Sequence, residues 1–241
     1  MADPTLLLWL ESPLQSWGFD SRFGRRDSLD FPTRSGVLGL LCCAMGAGGE
    51  QREWLELMAR QTQTVLAFGL SKEGKEGERK ALPRQPLLRD FHMVGAGYDL
   101  NDPWQKLLEP YMSSGKPRTS DGGGTKMTYR YYLQDMAFAV LLTVPEAEAQ
   151  VIATALQAPV WDLYLGRKNC VPTDFIYRGL FADEQQARQA ALELATAKER
   201  LALFQVLEGE HEGEVLTLND VPLQFGEHKK YRDRRVTVVA M

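Results

Sequence analysis

The chain has 241 residues, of which 44% are hydrophobic and 25% are charged. That length can bury one large hydrophobic core or two small ones, and no apolar run approaches the roughly 18 residues that a membrane-spanning helix needs. The first residues lack the basic, apolar and small-residue order of a secretory signal, which favours a cytoplasmic protein without a membrane partner. The three cysteines have neither metal-site spacing nor an obvious disulfide pattern, so we expect no metal and, with no cofactor motif present, no cofactor.

The basic residues are concentrated in a few segments of an acidic chain. The formal net charge is −4, which by itself argues against a nucleic-acid partner. Residues 22–34, 116–130, 167–168 and 229–235, however, hold 15 of the 28 Lys and Arg but 4 of the 32 Asp and Glu. Because affinity for RNA depends on the local field at the phosphates rather than on the summed charge, this distribution is compatible with a local RNA site.

The first predicted elements are a strand and a helix joined by a polar loop. An apolar run from Thr5 to Leu10 predicts a buried strand, and a hydrophobic helix is predicted from Thr33 or Ser35 to Met45. A loop of about 20 residues inside a compact domain is usually functional or disordered. Arginines interleaved with aromatic rings suit single-stranded nucleic acid. The loop and the start of the helix contain Arg22, Arg25, Arg26 and Arg34.

The start of the predicted helix is a second candidate feature. Thr33 and Ser35 are possible N-caps, and Gly46 is a natural residue to end the helix. Free N–H groups and the positive end of the helix dipole predict a phosphate site from Thr33 to Gly36. The alternative interpretation is a core helix whose small residues serve only packing.

The rest of the chain predicts two units. Apolar periodicity and turn residues define the further helices and strands. In the first unit they are a helix at 52–59, strands at 64–70 and 82–92, a strand at 136–144, a helix between Pro145 and Pro159, and a strand at 161–165. The second unit has an extended segment at 175–181, a helix at 183–200, and strands at 201–207, 214–218 and 236–240. Residues 93–128 lose this periodicity, which indicates an exposed loop or a projection that orders against a partner.

These elements predict an α+β protein. Residues 1–170 are expected to form a ferredoxin-like (RRM-like) β-α-β-β-α-β domain with a long insertion at about 92–129. Residues 171–241 are expected to form a small C-terminal domain with an antiparallel sheet.

Five ordered blocks of sequence resemble a known family. They are LLLWLESPLQSWG, FPTRSGVLGLLCCAMG, LLRDFH, YRYYLQDMAFAV and LYLGRKNC. They are similar to the CasD subunits of type I-E CRISPR Cascade complexes, which belong to the RAMP superfamily. The resemblance spans residues 6–170 and extends more weakly to the C-terminus. It implies a subunit that holds the 5′ handle of the guide RNA and caps one end of the protein backbone in antiviral defence.

The resemblance also implies partners and contact residues. The partners are the CRISPR guide RNA, the backbone subunit and the large subunit of Cascade, with target DNA reached indirectly through the complex. The insertion is expected to be a thumb that reaches the adjoining backbone subunit and helps to kink the RNA. Trp17 and Gln15 would shape the turn that places the arginines, although Trp17 is equally well explained as a core residue. Residue type and family position together predict an RNA-binding set of Gln15, Trp17, Arg22, Arg25, Arg26, Thr33, Arg34, Ser35, His92, Lys126, Arg130, Arg167 and Lys168, with Lys116 and Arg118 as further thumb contacts.

Two alternative functions belong to other classes. Metal-independent cleavage of precursor CRISPR RNA needs a base, an acid and a cation, and His92, Lys126, Lys168 and the tyrosines at 129, 131 and 132 are of those types. No tight motif gathers them, and in the subtype that this chain resembles a different subunit cuts the precursor, so we expect no catalytic residue. The third possibility is a protein-bridging subunit whose basic segments bind acidic surfaces of its neighbours.

Overall fold

The computed structural model describes residues 3–19, 21, 24–74, 78–94, 114–116 and 126–241. The helices in these ranges are α1 (Arg34–Met45), α2 (Arg52–Met58), α3 (Glu146–Gln157) and α4 (Glu184–Ala197). The strands are β1 (Thr5–Glu11), β2 (Leu14–Gln15), β3 (Arg25–Arg26), β4 (Gln63–Glu73), β5 (Arg79–Ala81), β6 (Leu88–Val94), β7 (Lys126–Gln134), β8 (Ala137–Thr143), β9 (Tyr177–Phe181), β10 (Arg200–Glu208), β11 (Glu214–Gln224) and β12 (Lys230–Ala240). None of these helices combines the length and apolar character that crossing a membrane requires.

Eight strands form one antiparallel sheet, which we call the main sheet. Its order is β11-β12-β10-β4-β8-β1-β9, and β5 pairs with the end of β4. Six of the seven residues of β1 are buried, because this strand lies inside the sheet and both of its faces are covered. A strand covered on both faces reads as a continuous apolar run rather than an alternating one. The predicted α+β composition with antiparallel strands is confirmed.

Different helices cover the two faces of the main sheet. On one face, α1 and α3 enclose a core that includes Leu8 of β1. On the other face, the alanines of α4 pack on Trp9 and Phe68, whose ring centroids lie 5.3 Å apart. RRM domains use the open face of a sheet to stack bases on aromatic side chains. That mode is blocked here, because both rings are fully buried under α4.

Several predicted elements are confirmed, including both ends of α1. The hydroxyl of Thr33 accepts a hydrogen bond from Gly36 N at 3.2 Å, and Gly46 ends α1 in the left-handed conformation. The carboxylate of Asp183 likewise caps α4 through the backbone N–H of Gln186 at 2.8 Å. These ends agree with the sequence because capping depends on residues only three positions apart.

The expected separate C-terminal sheet is not observed. Strand β10 pairs with β4 on one side and with β12 on the other, and β9 pairs with β1. Strands from both sides of the predicted boundary at residue 170 therefore share one sheet. Local periodicity correctly located these strands but contained no information on their pairing partners.

The predicted strand at 161–165 is wrong. Residues 161–165 form a loop, and the strand that pairs with β1 opposite β8 is β9. Leu165 accepts a hydrogen bond from Ser16 N at 3.1 Å and donates one to the carbonyl of Cys170 at 2.8 Å. The predicted strand at 82–92 begins later, as β6, because Pro83 and Pro86 remove backbone donors from the first half.

An ion-pair cluster closes one end of β1. Glu11 accepts hydrogen bonds from the indole of Trp9 at 2.7 Å and the guanidinium of Arg200 at 2.8 Å, and lies 3.0 Å from the ammonium of Lys198. Burial alone would raise the pKa of Glu11, but these donors and the positive charge of Arg200 together hold it below its usual 4.5. Folding therefore favours the ionised carboxylate.

We expect stability to fall as the pH decreases from 4.5 through the lower pKa of folded Glu11. The sign follows because the unfolded chain takes up the proton first. Glu11→Gln should lower the free energy of unfolding by about 1–3 kcal/mol above this window, since it weakens hydrogen bonds to a charged group. Within the window its stability should fall less steeply, which urea unfolding at a series of pH values would measure. Glu56→Gln, in an exposed pair with Arg60, is the control, and equal pH dependence of wild type and Glu11→Gln would contradict the assignment.

Candidate nucleic-acid interface

The smaller sheet, which we call the second sheet, brings together the loop after β1 and the strands beside the insertion. Its central strand is β7, which pairs antiparallel with β2 and β6 and parallel with β3. Arg25 lies opposite Tyr129, and Phe91 lies opposite the same tyrosine on β6. Residues directly opposite each other project from the same face of a sheet. The second sheet therefore presents the arginine loop and the YRYY segment side by side.

One face of the second sheet is rich in exposed aromatic, methionine and arginine side chains. We call this surface the aromatic face; its residues are Arg25, Arg89, Phe91, Met93, Met127, Tyr129 and Tyr131. The exposed fractions are 48% for Phe91, 63% for Met93, 60% for Met127 and 40% for Tyr129. Exposed rings and thioethers on one face of a small sheet indicate a surface that a partner covers.

The aromatic face combines flat rings with positive charge. The rings of Phe91 and Tyr129 lie 5.7 Å apart, tilted by 52°. The guanidinium carbon of Arg89 lies 5.3 Å from the centre of the Tyr129 ring, and that of Arg25 lies 4.9 Å from the centre of the Tyr131 ring. Arginine stacked on a ring keeps its outer N–H groups free for phosphate oxygens. Rings for bases and cations for phosphates are the two components of a single-stranded nucleic-acid site.

Arg25 has a partner within the protein. Its Nε lies 2.8 Å from the carboxylate of Asp27, and this hydrogen bond, together with the negative charge, raises the pKa of Arg25. The Arg25 side chain is exposed and that of Asp27 is half-buried, and ion pairs near the surface contribute little to stability. The interaction holds the guanidinium near the aromatic face without burying it.

Arg34 has a different role from the one expected. It is 3% exposed, and its Nη1 donates to Glu208 at 2.9 Å while Nη2 donates to the carbonyls of Met58 and Gln61. The prediction that Arg34 contacts RNA is therefore wrong for this structure. Its guanidinium joins α1 to the end of α2 and to β10.

The expected phosphate site at the start of α1 is already filled by the protein. The carboxylate of Asp220 accepts the backbone N–H of Arg34 at 2.7 Å, and Thr33, itself buried, accepts that of Gly36. Asp220 also receives two hydrogen bonds from Arg234, at 2.7 and 2.9 Å. The anion at this helix terminus is a side chain from β11, so Thr33 serves as a cap and not as an RNA contact.

Gln15 and Trp17 shape the turn from inside. Gln15 is fully buried, and its amide donates to the carbonyls of Leu10 and Met136 at 3.1 and 2.8 Å. Its carbonyl accepts the indole N–H of Trp17 at 3.2 Å. Trp17 is 1% exposed and packs against Gly36, where an added Cβ would lie 2.9 Å from the indole ring. The core interpretation of Trp17 is correct, and neither side chain is available to stack on a base.

Several of the remaining predicted contacts lie on or against the opposite face of the second sheet. Arg167 donates to the carbonyls of Arg26 and Tyr131 at 2.8 and 3.2 Å, and its guanidinium carbon lies 4.7 Å from the centre of the Tyr132 ring. Arg167 therefore holds β3 against β7 instead of facing solvent as a free cation. Lys168 beside it is exposed.

His92 and Arg130 also lie on this second face. The His92 imidazole contacts the carboxylate of Asp90, and Arg130 lies directly opposite Asp90 across the sheet. Ser35 is half-buried in the first turn of α1. The predicted RNA-binding residues thus include buried side chains that join elements of the fold, Arg25 on the exposed aromatic face, and several residues on the opposite face of the second sheet.

Some predicted contacts fall outside the described residues. They are Arg22, Arg118 and most of the expected thumb, together with the side chain of Lys126. The backbone of Lys126 pairs with Val94 at the end of the β6–β7 ladder, so the two ends of the insertion lie next to each other. Lys116 is exposed.

Sequence reasoning missed the β6 half of the aromatic face. Arg89, Phe91 and Met93 alternate with Leu88, Asp90 and His92, and such alternation is the pattern of a strand with two different faces. The LLRDFH block drew attention to His92 because of its chemistry. Strand alternation, extended to the YRYY segment, could have located the exposed face.

Comparisons with known proteins agree with the resemblance found in the sequence. The family model described as CRISPR-associated protein (Cas_Cas5) matches residues 5–237. The CRISPR system Cascade subunit CasD of Escherichia coli (strain K12) is 30% identical over 178 residues, which is 72% of this chain and 70% of that protein. A chain of a solved CRISPR RNA-guided surveillance complex is 30% identical, with a TM-score of 0.68, and the match covers 98% of this chain and 90% of the other.

A second solved structure, of a Cas protein, is 26% identical with a TM-score of 0.58 and covers 98% of this chain and 94% of that one. The family match extends over nearly the whole chain, including the C-terminal strands that complete the main sheet. The chain therefore belongs to the Cas5 family of CRISPR-associated proteins.

Proposed function

We propose that this protein is a non-catalytic RNA-binding subunit of a CRISPR Cascade complex, in which it holds the 5′ handle of the guide RNA and caps one end of the protein backbone. The named relatives support this role, because one is a Cascade subunit and another belongs to an RNA-guided surveillance complex. The backbone and large subunits would be its protein partners, and target DNA would be reached through the complex.

The aromatic face is the observation that carries the proposal. It places the rings of Phe91 and Tyr129 and the guanidinium groups of Arg25 and Arg89 on one exposed surface. An acidic peptide would use the cations but would leave the rings and the methionines exposed. Single-stranded RNA offers phosphates for the arginines and flat bases for the rings.

The fold places this surface at the base of the insertion. We infer that β1, α1, β4, β8, α3 and β9 form a ferredoxin-like core, with β9 in place of the last strand expected at 161–165, since β4, β8, β1 and β9 are neighbours in that order and a helix follows β1 and β8. The two ends of the insertion, Val94 and Lys126, pair with each other at the end of the β6–β7 ladder. An RNA strand on the aromatic face would therefore lie next to the point where the insertion leaves the second sheet.

The alternative of RNA cleavage receives no support from the geometry. His92 lies opposite Thr128, so it projects from the face of the second sheet that Tyr129 and Tyr131 do not share. Tyr132 projects from the same face as His92, but its side chain is fully buried. A base and an acid must reach the same reacting phosphate. We therefore assign no catalytic residue.

The test is RNA binding by variants of the aromatic face. We expect Tyr129→Ala to weaken binding of an RNA with the 5′ handle sequence roughly 5- to 150-fold, because one base stack contributes about 1–3 kcal/mol. Arg89→Ala should reduce the slope of log affinity against log salt by about 0.7 if it removes one phosphate contact. Fluorescence anisotropy with labelled RNA over a salt series would measure both effects.

Matched controls remove a similar side chain elsewhere on the surface. Phe175 is 82% exposed in the loop before β9 and is not part of the second sheet, and Arg60 is exposed on the loop after α2. Phe175→Ala and Arg60→Ala should leave affinity and salt slope near wild type. If Tyr129→Ala and Arg89→Ala bind the handle RNA as these controls do, the aromatic face is not the RNA site and the proposal fails.

A further inference from the structure

A cleft of about 790 Å³ lies between the loop after β2, the first turn of α1 and the β11–β12 hairpin. We call it the hairpin cleft. It adjoins the basic segment at 229–235, which the aromatic face does not use. The residues that matter for its chemistry are Phe19, Arg26, Ser35, Asn219, Lys229 and Tyr231.

The hairpin cleft has a cation on each of two opposite elements. Arg26 projects from β3 and Lys229 from the turn immediately before β12. Neither forms an ion pair with any carboxylate in the part of the chain that the structure describes. Of the two acidic residues in the lining, Asp220 is bonded to Arg234 and to the start of α1, and the exposed Asp233 accepts the amide of Asn219. The cleft therefore offers a ligand two cations that lack ion-pair partners, beside one exposed carboxylate.

The cleft also offers two aromatic rings. Phe19 is 38% exposed although it lies in a polar loop, and Tyr231 is 36% exposed. Burial raises the pKa of Tyr231, so its hydroxyl remains a neutral donor. Ser35 and Asn219 add polar groups between the rings and the cations. Two rings, two cations and several hydrogen-bonding groups match the base, phosphate and ribose of one nucleotide.

The hairpin cleft and the aromatic face lie on opposite sides of β3, and each includes one of its two arginines. Arg25 lies on the aromatic face and Arg26 lines the cleft, since neighbouring residues of a strand point to opposite faces. Their Cα atoms are about 3.8 Å apart, as for any trans peptide. A single RNA strand that crosses β3 can therefore contact both surfaces.

We propose that the hairpin cleft binds one unstacked nucleotide of the guide RNA, with its base against Phe19 and Tyr231 and its phosphate between Arg26 and Lys229. This inference rests on the proposed RNA-binding function and adds a second, separate contact to it. The cleft would hold the strand after it leaves the aromatic face.

The experiment compares full-length variants with handle RNAs in which one base at a time is abasic. We expect Tyr231→Ala to weaken binding of the intact RNA roughly 5- to 150-fold, the loss of one stacked base, and Tyr231→Phe to bind like wild type because it keeps the ring. One of the abasic RNAs should bind wild type and Tyr231→Ala with equal affinity, and its abasic position would identify the nucleotide in the cleft. Lys229→Ala should also weaken binding.

Lys230→Ala is the matched control, because Lys230 carries the same charge one residue along the chain but does not line the cleft. Urea unfolding of each variant would show that Tyr231→Ala remains folded. Binding by Lys229→Ala and Tyr231→Ala equal to that of Lys230→Ala, while Tyr129→Ala binds weakly, would overturn the cleft and leave the aromatic face standing. A second result would also overturn the cleft: Tyr231→Ala binds the intact RNA weakly, but none of the abasic RNAs has the same affinity for wild type and Tyr231→Ala. No base would then occupy the cleft. Failure of the wild-type protein to bind handle RNA would overturn both proposals.

Discussion

Asp220→Asn should lower the free energy of unfolding by about 3–5 kcal/mol, because it removes a carboxylate from a buried network that contains two arginines. Asp220 is 3% exposed. It binds Arg234 through two hydrogen bonds and accepts the backbone N–H of Arg34. Glu208 lies 2.9 Å from Arg34 and 2.7 Å from Arg234. In the variant, Glu208 would remain as the single negative charge for both guanidinium groups.

An exposed aspartate provides the matched control. Asp30 lies 3.0 Å from Arg84, and its side chain is 53% exposed. Asp30→Asn should change the free energy of unfolding by about 1 kcal/mol or less, as for other exposed pairs. Urea unfolding would measure both variants, and an unchanged m-value would show that the change is in stability alone. Equal midpoints for Asp220→Asn and Asp30→Asn would contradict the role given to the network.

A double variant separates charge balance from lost packing. Asp220→Asn combined with Arg234→Met leaves Glu208 opposite Arg34, so the buried charges are again equal in number. We expect the double variant to be more stable than the sum of the two single changes predicts, since a buried charge without a partner is the main cost. Additive losses would show that the four side chains do not act as one unit.

The four arginines that stood out in the loop show how far local sequence can predict a site. Arg25 and Arg26 lie on the surface, where a polar loop would place them. Arg34 looks identical by residue type, but its partners Glu208 and Asp220 are 174 and 186 residues away along the chain. No local pattern shows that two carboxylates will meet at the start of α1. The sequence predicted the helix and its cap correctly, and predicted a ligand where the protein provides its own anion.

The aromatic face shows the same division between local and distant information. The pairing of Phe91 with Tyr129 joins two strands separated by the insertion. Each strand can be recognised by its alternation, yet the register that puts the rings on one face is set by the pairing itself. The single main sheet was missed for the same reason, because β10 pairs with β4 more than 100 residues earlier in the sequence.

A glycine fixes the loop that supports the second sheet. Gly166 has a φ of +97°, and a Cβ added there would lie 1.7 Å from the carbonyl oxygen of Ser16. Ser16 in turn donates its backbone N–H to Leu165 at 3.1 Å and its hydroxyl to the carbonyl of Tyr131 at 3.1 Å. Because Arg167 is the next residue, a shift of this loop would withdraw the guanidinium that joins β3 to β7.

Gly166→Ala should therefore lower the free energy of unfolding by more than about 4 kcal/mol, since backbone strain and a clash with a buried main-chain oxygen act together. Gly49→Ala is the control: Gly49 has a similar φ of +84°, but an added Cβ would have no atom within 4 Å. That variant should lose only about 1–2 kcal/mol from the left-handed conformation. Thermal unfolding of both proteins, together with handle RNA binding at a temperature where both remain folded, would distinguish the two effects. Similar losses of stability in the two variants would mean that the loop can move away from Ser16. Weaker RNA binding by Gly166→Ala alone would show that the position of this loop against β3 and β7 also holds the aromatic face in place.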